Sequence, residues 1–438
     1  MKRILFIALF SSLAVMVGAC GSIPRPTPPV AGAPLEQPWG SVPLQTTDGE
    51  IVQSFTDNFI KSLEAKRDQH RQAGVDGKIP YRALTLSGGG SRGAYGAGVL
   101  SGWTVRGDRP QFDVVTGIST GALMATHAFL GPEFDENLAM YKQISNDDVF
   151  KKRSIFEALR TGAIFDTSPL RDTLLSTITE ETLDLVAVEY RKGRRLFIGT
   201  TNLDANTFVV WDMGVIAASG RPDRLKRYID VIKASAAFPI AFPPVYIDVE
   251  GESGTFTEMH ADGGIREMVF FFDFDFIEEV RSAMDEAGFS ESDFKQELYL
   301  LVNGPISSGG IRTYKPVEGK IGPIIDAAIT SLMTKVTHGS AYRMWVLSMV
   351  HGADFHVSFV PSDFEFSSGS LTFDPEEQTA LFELGYQQAL DGTAWATQLA
   401  PSNTEELIQL ITDPASTFDE FEQPDWLKRE RQLNVHDE

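Results

Sequence analysis

Between residues 50 and 420 the apolar positions follow two rhythms in alternation. Short continuous runs are one: Ala83-Leu84-Thr85-Leu86, Phe112-Asp113-Val114-Val115-Thr116, Arg195-Leu196-Phe197-Ile198-Gly199-Thr200 and Glu297-Leu298-Tyr299-Leu300-Leu301-Val302. Runs of this length predict buried strands. Thr255-Phe256-Thr257-Glu258-Met259-His260 alternates instead, as a strand with one wetter face does. The other rhythm is helical. Leu225, Tyr228, Ile229, Ile232 and Ala236 share one face, and so do Ile325, Ala328, Ile329, Leu332, Met333 and Val336. Asp374-Pro375-Glu376-Glu377 is a helix start by chemistry, with Asp374 as cap, Pro375 at the first position and Glu377 placed for a capping box. Strands and helices in alternation, with no internal repeat or second linker, predict one α/β domain with a largely parallel sheet.

Outside that body the pattern changes. Lys2 and Arg3 precede an apolar run from Ile4 to Val17, broken only by Ser11 and Ser12. This is the layout of a secretory signal, short for a membrane-spanning helix. Val17-Gly18-Ala19-Cys20 resembles a bacterial lipobox, so residues 1–19 are expected to be a signal peptide and Cys20 the lipidated residue. A plain secretory signal with a chance cysteine is the alternative. Gly21, rather than Asp, favours the periplasmic side of the outer membrane as the location. Pro24, Pro26, Pro28, Pro29, Pro34, Pro38 and Pro43 make residues 20–45 read as an extended tether. Residues 421–438 read as an acidic C-terminal tail.

Composition narrows the partners. The chain has 438 residues, 42% hydrophobic and 22% charged, enough to bury a large core. Its net charge of −22 argues against nucleic acid, whose phosphates need clustered Lys and Arg. It also gives no general attraction to anionic lipid, so membrane contact needs an anchor or a local apolar patch. Cys20 is the only cysteine, which rules out an intramolecular disulfide.

Three motifs carry chemistry. Gly117-Ile118-Ser119-Thr120-Gly121 follows a strand and leads into the helical Ala122-Leu123-Met124-Ala125. That context favours a nucleophile elbow over a structural Gly-rich turn, with Gly117 and Gly121 permitting a sharp turn that exposes the Ser119 hydroxyl. Gly88-Gly89-Gly90-Ser91-Arg92-Gly93 also follows a strand, and its amides can gather around an oxyanion. Arg92 could stabilise the same charge, order the loop, or form a surface ion pair. The segment also satisfies G-x-G-x-x-G, but a dinucleotide fold wants an acidic residue ending the next strand, and Asp113 begins it. Asp262-Gly263-Gly264 puts a carboxylate at a strand end with two glycines behind it, although such a tripeptide is often a turn.

In this order, the three motifs resemble the patatin-like phospholipases. Asp166-Thr167-Ser168-Pro169-Leu170-Arg171, Thr201-Asn202-Leu203-Asp204 and Ala234-Ser235-Ala236-Ala237-Phe238-Pro239 extend the likeness over roughly residues 80–265. The resemblance implies a three-layer α/β/α fold with a mostly parallel central sheet. It implies a Ser-Asp dyad with Ser119 as nucleophile and Asp262 as its base, and an oxyanion loop at Gly88 through Gly93. The substrate class it implies is a fatty-acyl ester of phospholipid or lysophospholipid. The expected partners are thus that substrate and, through the anchor, a bacterial membrane.

A carboxylate with an ordinary pKa near 4 is a weak base for an alcohol, so the oxyanion hole should supply much of the acceleration. A Ser-Asp-His triad using His338, His351 or His356 is a rival by chain order, while His260 could tune Asp262 and His127 reads as helix packing. No cofactor is expected, and no metal, since H-E-x-x-H and cysteine pairs are absent. Asp273 and Asp275 read as a solvated face, and Val269-Phe270-Phe271-Phe272 as core or as an acyl-channel wall. A small-ester carboxylesterase and a non-enzymatic lipid-binding lipoprotein remain alternative functions.

Overall fold

The computed structural model describes residues 25–30, 38–42, 49–74, 76–251, 254–271, 277–306 and 316–399. Residues 1–307 and 314–398 make one compact unit; the second, 308–313 and 399–438, lies outside the described residues except for Leu399. The expected signal peptide, Cys20, the acidic tail and the Asp273/Asp275 pair also lie outside them.

The strands are β1 (Ser41–Val42), β2 (Ile79–Leu86), β3 (Val114–Gly117), β4 (Lys151–Lys152), β5 (Phe165–Asp166), β6 (Arg195–Asn202), β7 (Thr207–Asp212), β8 (Val245–Gly251), β9 (Gly254–Asp262), β10 (Phe294–Val302) and β11 (Asp354–Phe359). The helices that matter here are α1 (Gly49–Gln72), α2 (Gly93–Arg106), α3 (Thr120–Leu130), α4 (Ile155–Thr161), α5 (Arg224–Ser235), α6 (Ile321–Val350) and α7 (Pro375–Leu390). Nine strands form one sheet flanked by helices, a three-layer α/β/α fold. Its centre is parallel in the order β11-β10-β2-β3-β6, and β7 and β1 extend it antiparallel beyond β6. Every residue of β3 and β6 is buried, which is why their sequences run apolar without alternation.

One edge of β6 is shared by two strands. The parallel β3 covers it from Arg195 to Ile198 and stops at Gly117, opposite Ile198. The antiparallel β9 then takes over, with Asp262 opposite Thr200. Gly117 and Asp262 therefore stand two residues apart along β6, about 7 Å at strand spacing, though 145 residues separate them in sequence (262 − 117). This handover brings two motifs to one place.

Helix α2 crosses α7 at backbone distance: a Cβ on Gly98 would lie 2.0 Å from the Phe382 carbonyl oxygen. Next to this crossing, Trp103 packs against Phe112, Tyr299 and Trp395 with ring centroids 4.8–5.9 Å apart. Val269 and Phe270 are core, and Phe270 packs edge-on against Phe208, so these two are not channel wall; Phe272 lies outside the described residues.

Three expectations change. The stretch 20–45 does not read as a free tether throughout: Thr257 N–H donates to the Thr27 carbonyl at 2.8 Å, Arg25 pairs with Asp204, and Ser41–Val42 form β1. Those backbone groups find partners in the body, which a Pro-rich composition does not reveal. The capping box at α7 is only half made. Asp374 accepts from the Glu376 and Glu377 N–H groups, but the Glu377 carboxylate turns instead to Ser367 and Ser368. On α6 the expected buried stripe is exposed at Leu332, while Ile329 and Met333 turn to the cavity described next.

Candidate active site

Ser119 sits at the corner between β3 and α3 with φ 53° and ψ −123°. A side chain other than glycine is strained there, at a cost of about 1–3 kcal/mol that the surroundings must offset. Two of them visibly do. Gly121 lets α3 start directly over β2, since a Cβ there would lie 2.2 Å from the Leu86 carbonyl oxygen. The Ser119 N–H donates to Ser235 Oγ at 3.0 Å, and that hydroxyl donates to the Gly199 carbonyl at 2.7 Å. Ser235, the last residue of α5, thus ties the elbow to β6. It lies in a segment singled out by resemblance, but nothing in the sequence assigns it this contact.

Asp262 ends β9 and is 1% exposed. Its N–H donates to the Ala237 carbonyl at 3.0 Å, and its own carbonyl accepts from Thr201 Oγ1 at 2.9 Å. The backbone is held on both sides. Its Oδ1 accepts the Gly264 N–H at 2.8 Å, and the Ser119 hydroxyl lies close enough to pull its pKa down. Burial pushes the carboxyl up to about 7, against the smaller downward pull of Ser119 and Gly264. The expectation of an ordinary carboxylate near 4 therefore fails, because desolvation disfavours the charged form. Gly263 stands where a Cβ would meet the Gly199 carbonyl oxygen at 2.5 Å, so the turn after Asp262 can press onto β6.

The glycine loop is narrower as a donor set than its six residues suggest. Gly88 N–H reaches the Met268 carbonyl at 3.3 Å, Ser91 N–H the Ser370 carbonyl at 2.8 Å, and Arg92 N–H the Gly89 carbonyl at 3.3 Å. Gly93 N–H closes the 3-10 turn onto Gly90 and Ser91. The N–H groups of Gly89 and Gly90 have no partner among the described residues, and neither has that of Thr120, in the first turn of α3. All three residues line the cavity that holds Ser119 and Asp262. Gly90 has φ +60°, and a Cβ there would lie 2.0 Å from the Ser370 carbonyl oxygen. Asn303 fixes the loop from behind: its Nδ2 donates to the Ser87 carbonyl at 2.8 Å, and its N–H donates to Ser87 Oγ at 2.8 Å. A polar residue directly after the apolar run of β10 was the available sequence signal for Asn303.

The remaining walls are mainly apolar, with Leu123, Val149, Leu170, Phe238, Phe242, Ile329, Met333 and Phe373, while Thr330, Thr334, Thr337 and Ser370 add hydroxyls. Arg92 is no surface ion pair. Its guanidinium stacks 4.2 Å over Phe366 and borders the cavity, and burial lowers its pKa. No described histidine lines the cavity. His260 is buried between Thr200 Oγ1 at 3.0 Å and Glu258 at 3.1 Å, His127 is buried in α3, and His356 stacks on Tyr299. Asp113, the residue weighed for ribose, accepts from Lys66 at 2.6 Å and from the Arg82 N–H at 2.8 Å. Among the described residues no cluster of His, Cys, Asp and Glu could hold a metal.

Comparison with known proteins places this geometry. No curated protein matches the chain. Among solved structures it is similar to VipD from Legionella pneumophila, at 14% identity over 77% of this chain and 75% of that one, with a TM-score of 0.32. Residues 84–275 match the family described as patatin-like phospholipase. That span takes in the glycine loop from Gly88, the elbow and Asp262. Over residues 84–275, then, which hold all three motifs, the chain is similar to the patatin-like phospholipases.

Proposed function

We propose that the chain hydrolyses fatty-acyl esters of phospholipids or lysophospholipids through Ser119 and Asp262. The observation that carries this reading is the pairing of a strained, cavity-facing serine with a buried carboxylate whose pKa lies near 7. A base works best when its pKa is close to the working pH. Asp262 takes the Ser119 proton as the oxygen bonds to the ester carbonyl carbon. The resulting oxyanion is met by the open N–H groups of Gly89, Gly90 and Thr120. Collapse breaks the ester bond, and the leaving alcohol takes the proton back from Asp262. A water molecule, deprotonated by the same carboxylate, then bonds to the acyl carbon; the ester bond to Ser119 breaks, Asp262 returns the proton to the Ser119 oxygen, and the fatty acid leaves. The apolar walls suit an acyl chain.

The test is a fluorophosphonate probe on the chain and on Ser119→Ala, followed by lipid analysis of envelope extract. Labelling of Ser119 with release of free fatty acid is the expected result. Absence of labelling would point to a lipid-binding lipoprotein, and labelling without phospholipid turnover to a small-ester carboxylesterase.

The same reading takes Cys20 as a lipid anchor in a bacterial envelope, on the periplasmic side of the outer membrane. Incorporation of labelled palmitate, lost in Cys20→Ala, checks it. Among the described residues no helix is long and apolar enough to cross a membrane.

A further inference from the structure

Beside the cavity lies a surface that neither the fold nor the proposed chemistry uses. Helix α4 presents Phe156 and Ile155 to solvent, 85% and 77% exposed. They are joined through the backbone to two more exposed isoleucines: Arg153 N–H donates to the Ile164 carbonyl, and Ile164 N–H to the Ile240 carbonyl, both at 3.0 Å. Ile240 has φ 72°. A β-branched residue pays a steric penalty in that region, and here it is also left exposed. Neither backbone ease nor burial accounts for an isoleucine at this position. It projects outward between Phe238 and Phe242, which both line the cavity.

The charge of this row runs against the acidic balance of the whole chain. Across residues 151–164 there are four cations, Lys151, Lys152, Arg153 and Arg160, and one carboxylate, Glu157. Glu157 is spent capping α4 through the N–H and hydroxyl of Ser154. Lys151 and Lys152 are exposed and make no ion pair among the described residues, whereas Arg153 faces Asp166 at 3.7 Å. In a protein with a net charge of −22, a basic border around exposed apolar side chains is the composition that binds an anionic lipid surface.

From these residues we infer that Ile155, Phe156, Ile164 and Ile240, bordered by Lys151, Lys152 and Arg160, dock the cavity mouth on an anionic bilayer. The proposal rests on the lipid-hydrolase reading for its purpose but not for its test. Aromatic contacts tie the patch to the cavity: Phe165, next to Ile164, packs on Phe242 at 6.1 Å. A docked surface would thus place acyl chains near Phe242 without their crossing open water. The docked N-terminal segment agrees, because Arg25 pairs with Asp204 just beyond the end of β6, the sheet end that carries Ser119. Five residues from Cys20 to Arg25 reach at most about 18 Å.

The experiment uses the full chain carrying Ser119→Ala and Cys20→Ala, with an environment-sensitive fluorophore on Phe156→Cys. A second chain carries the label on Val105→Cys, exposed near the end of α2, where the chain turns back toward the start of β3 and away from the strand ends that carry Ser119. Phosphatidylglycerol-containing vesicles should blue-shift the label at 156 and raise its emission several-fold, with little change at 105. Phosphatidylcholine vesicles should do so weakly. Adding Lys151→Glu and Lys152→Glu should weaken the response to anionic vesicles at least about tenfold. An unchanged label at 156 in vesicle-bound protein overturns the proposal. So does an equal response at both positions, or burial of the label on concentrating the chain without lipid, which would mark a self-association face. Hydrolysis of a water-soluble ester by the Ser119 chain is measured separately. If it fails while the label still inserts, the hydrolase reading falls and the docking surface stands.

Discussion

Asp262→Asn should make this protein more stable and nearly inactive, and the stability gain should depend on pH. The carboxyl is buried, and its folded value of about 7 lies above the unfolded 3.8. The native state therefore holds the proton more tightly, and stability falls as pH rises from about 4 to about 7. Below pH 4 both states are protonated and the penalty disappears; above pH 7 it is complete. At 1.36 kcal/mol per pKa unit it amounts to about 4 kcal/mol. Asparagine cannot ionise, yet its Oδ1 can still accept from Gly264 N–H and its Nδ2 can face Ser119. Urea unfolding of both proteins at pH 8.5 and pH 4 measures the difference. The variant should gain up to about 4 kcal/mol at the higher pH and close to nothing at the lower. Ester hydrolysis should drop by about 10²–10⁴-fold, the usual worth of a general base. An equal gain at both pH values, or a less stable variant at pH 8.5, would refute the desolvation argument.

The same carboxyl sets the pH profile. Turnover of a soluble ester should rise through an apparent pKa near 7 and level off above it, because Asp262 must be ionised to act; a profile still flat down to pH 5 would contradict this. Ser235→Ala leaves the Ser119 N–H and the Gly199 carbonyl without their shared hydroxyl, costing about 1–3 kcal/mol. Its kcat should fall more than its KM rises, and Ser235→Thr should restore part of the loss. Gly121→Ala should fail to accumulate as folded protein, as judged by limited proteolysis, since the new Cβ would lie 2.2 Å from Leu86 O. His338→Ala, His351→Ala and His356→Ala should each keep most of the activity, and a loss as large as that of Ser119→Ala in any of them would restore the triad reading.

The patterns that did not depend on distant neighbours were legible early. Apolar runs at 83–86, 195–200 and 297–302 are strands because burial on both faces of a parallel sheet selects such runs. Ser119 was marked by local context, a strand, two glycines and a helix, and the strained φ belongs to that local turn. Where side chains had a choice of partner, sequence spoke less clearly. Glu377 suited a capping box, but four donors on Ser367 and Ser368 compete for its carboxylate. The apolar stripe of α6 was real, yet its period says nothing about whether Leu332 meets protein or water.

Asp262 shows most clearly where sequence ends. Asp-Gly-Gly after an alternating strand fixes only a carboxylate at a strand end. Its meeting with Ser119 depends on β3 stopping at Gly117 and β9 taking over the same edge of β6 from the opposite direction. That handover is a matter of register between segments far apart in the chain, and local propensity carries no record of it. Its pKa has the same origin, since desolvation comes from all the chain packed around it and not from its neighbours in sequence. The sequence determined which residues could do chemistry and roughly what kind. The tertiary structure decided that the Asp262 carboxyl would hold its proton to near neutral pH, that the Gly89, Gly90 and Thr120 amides would find no partner among the described residues, and that Phe156 and Ile240 would face solvent beside the cavity.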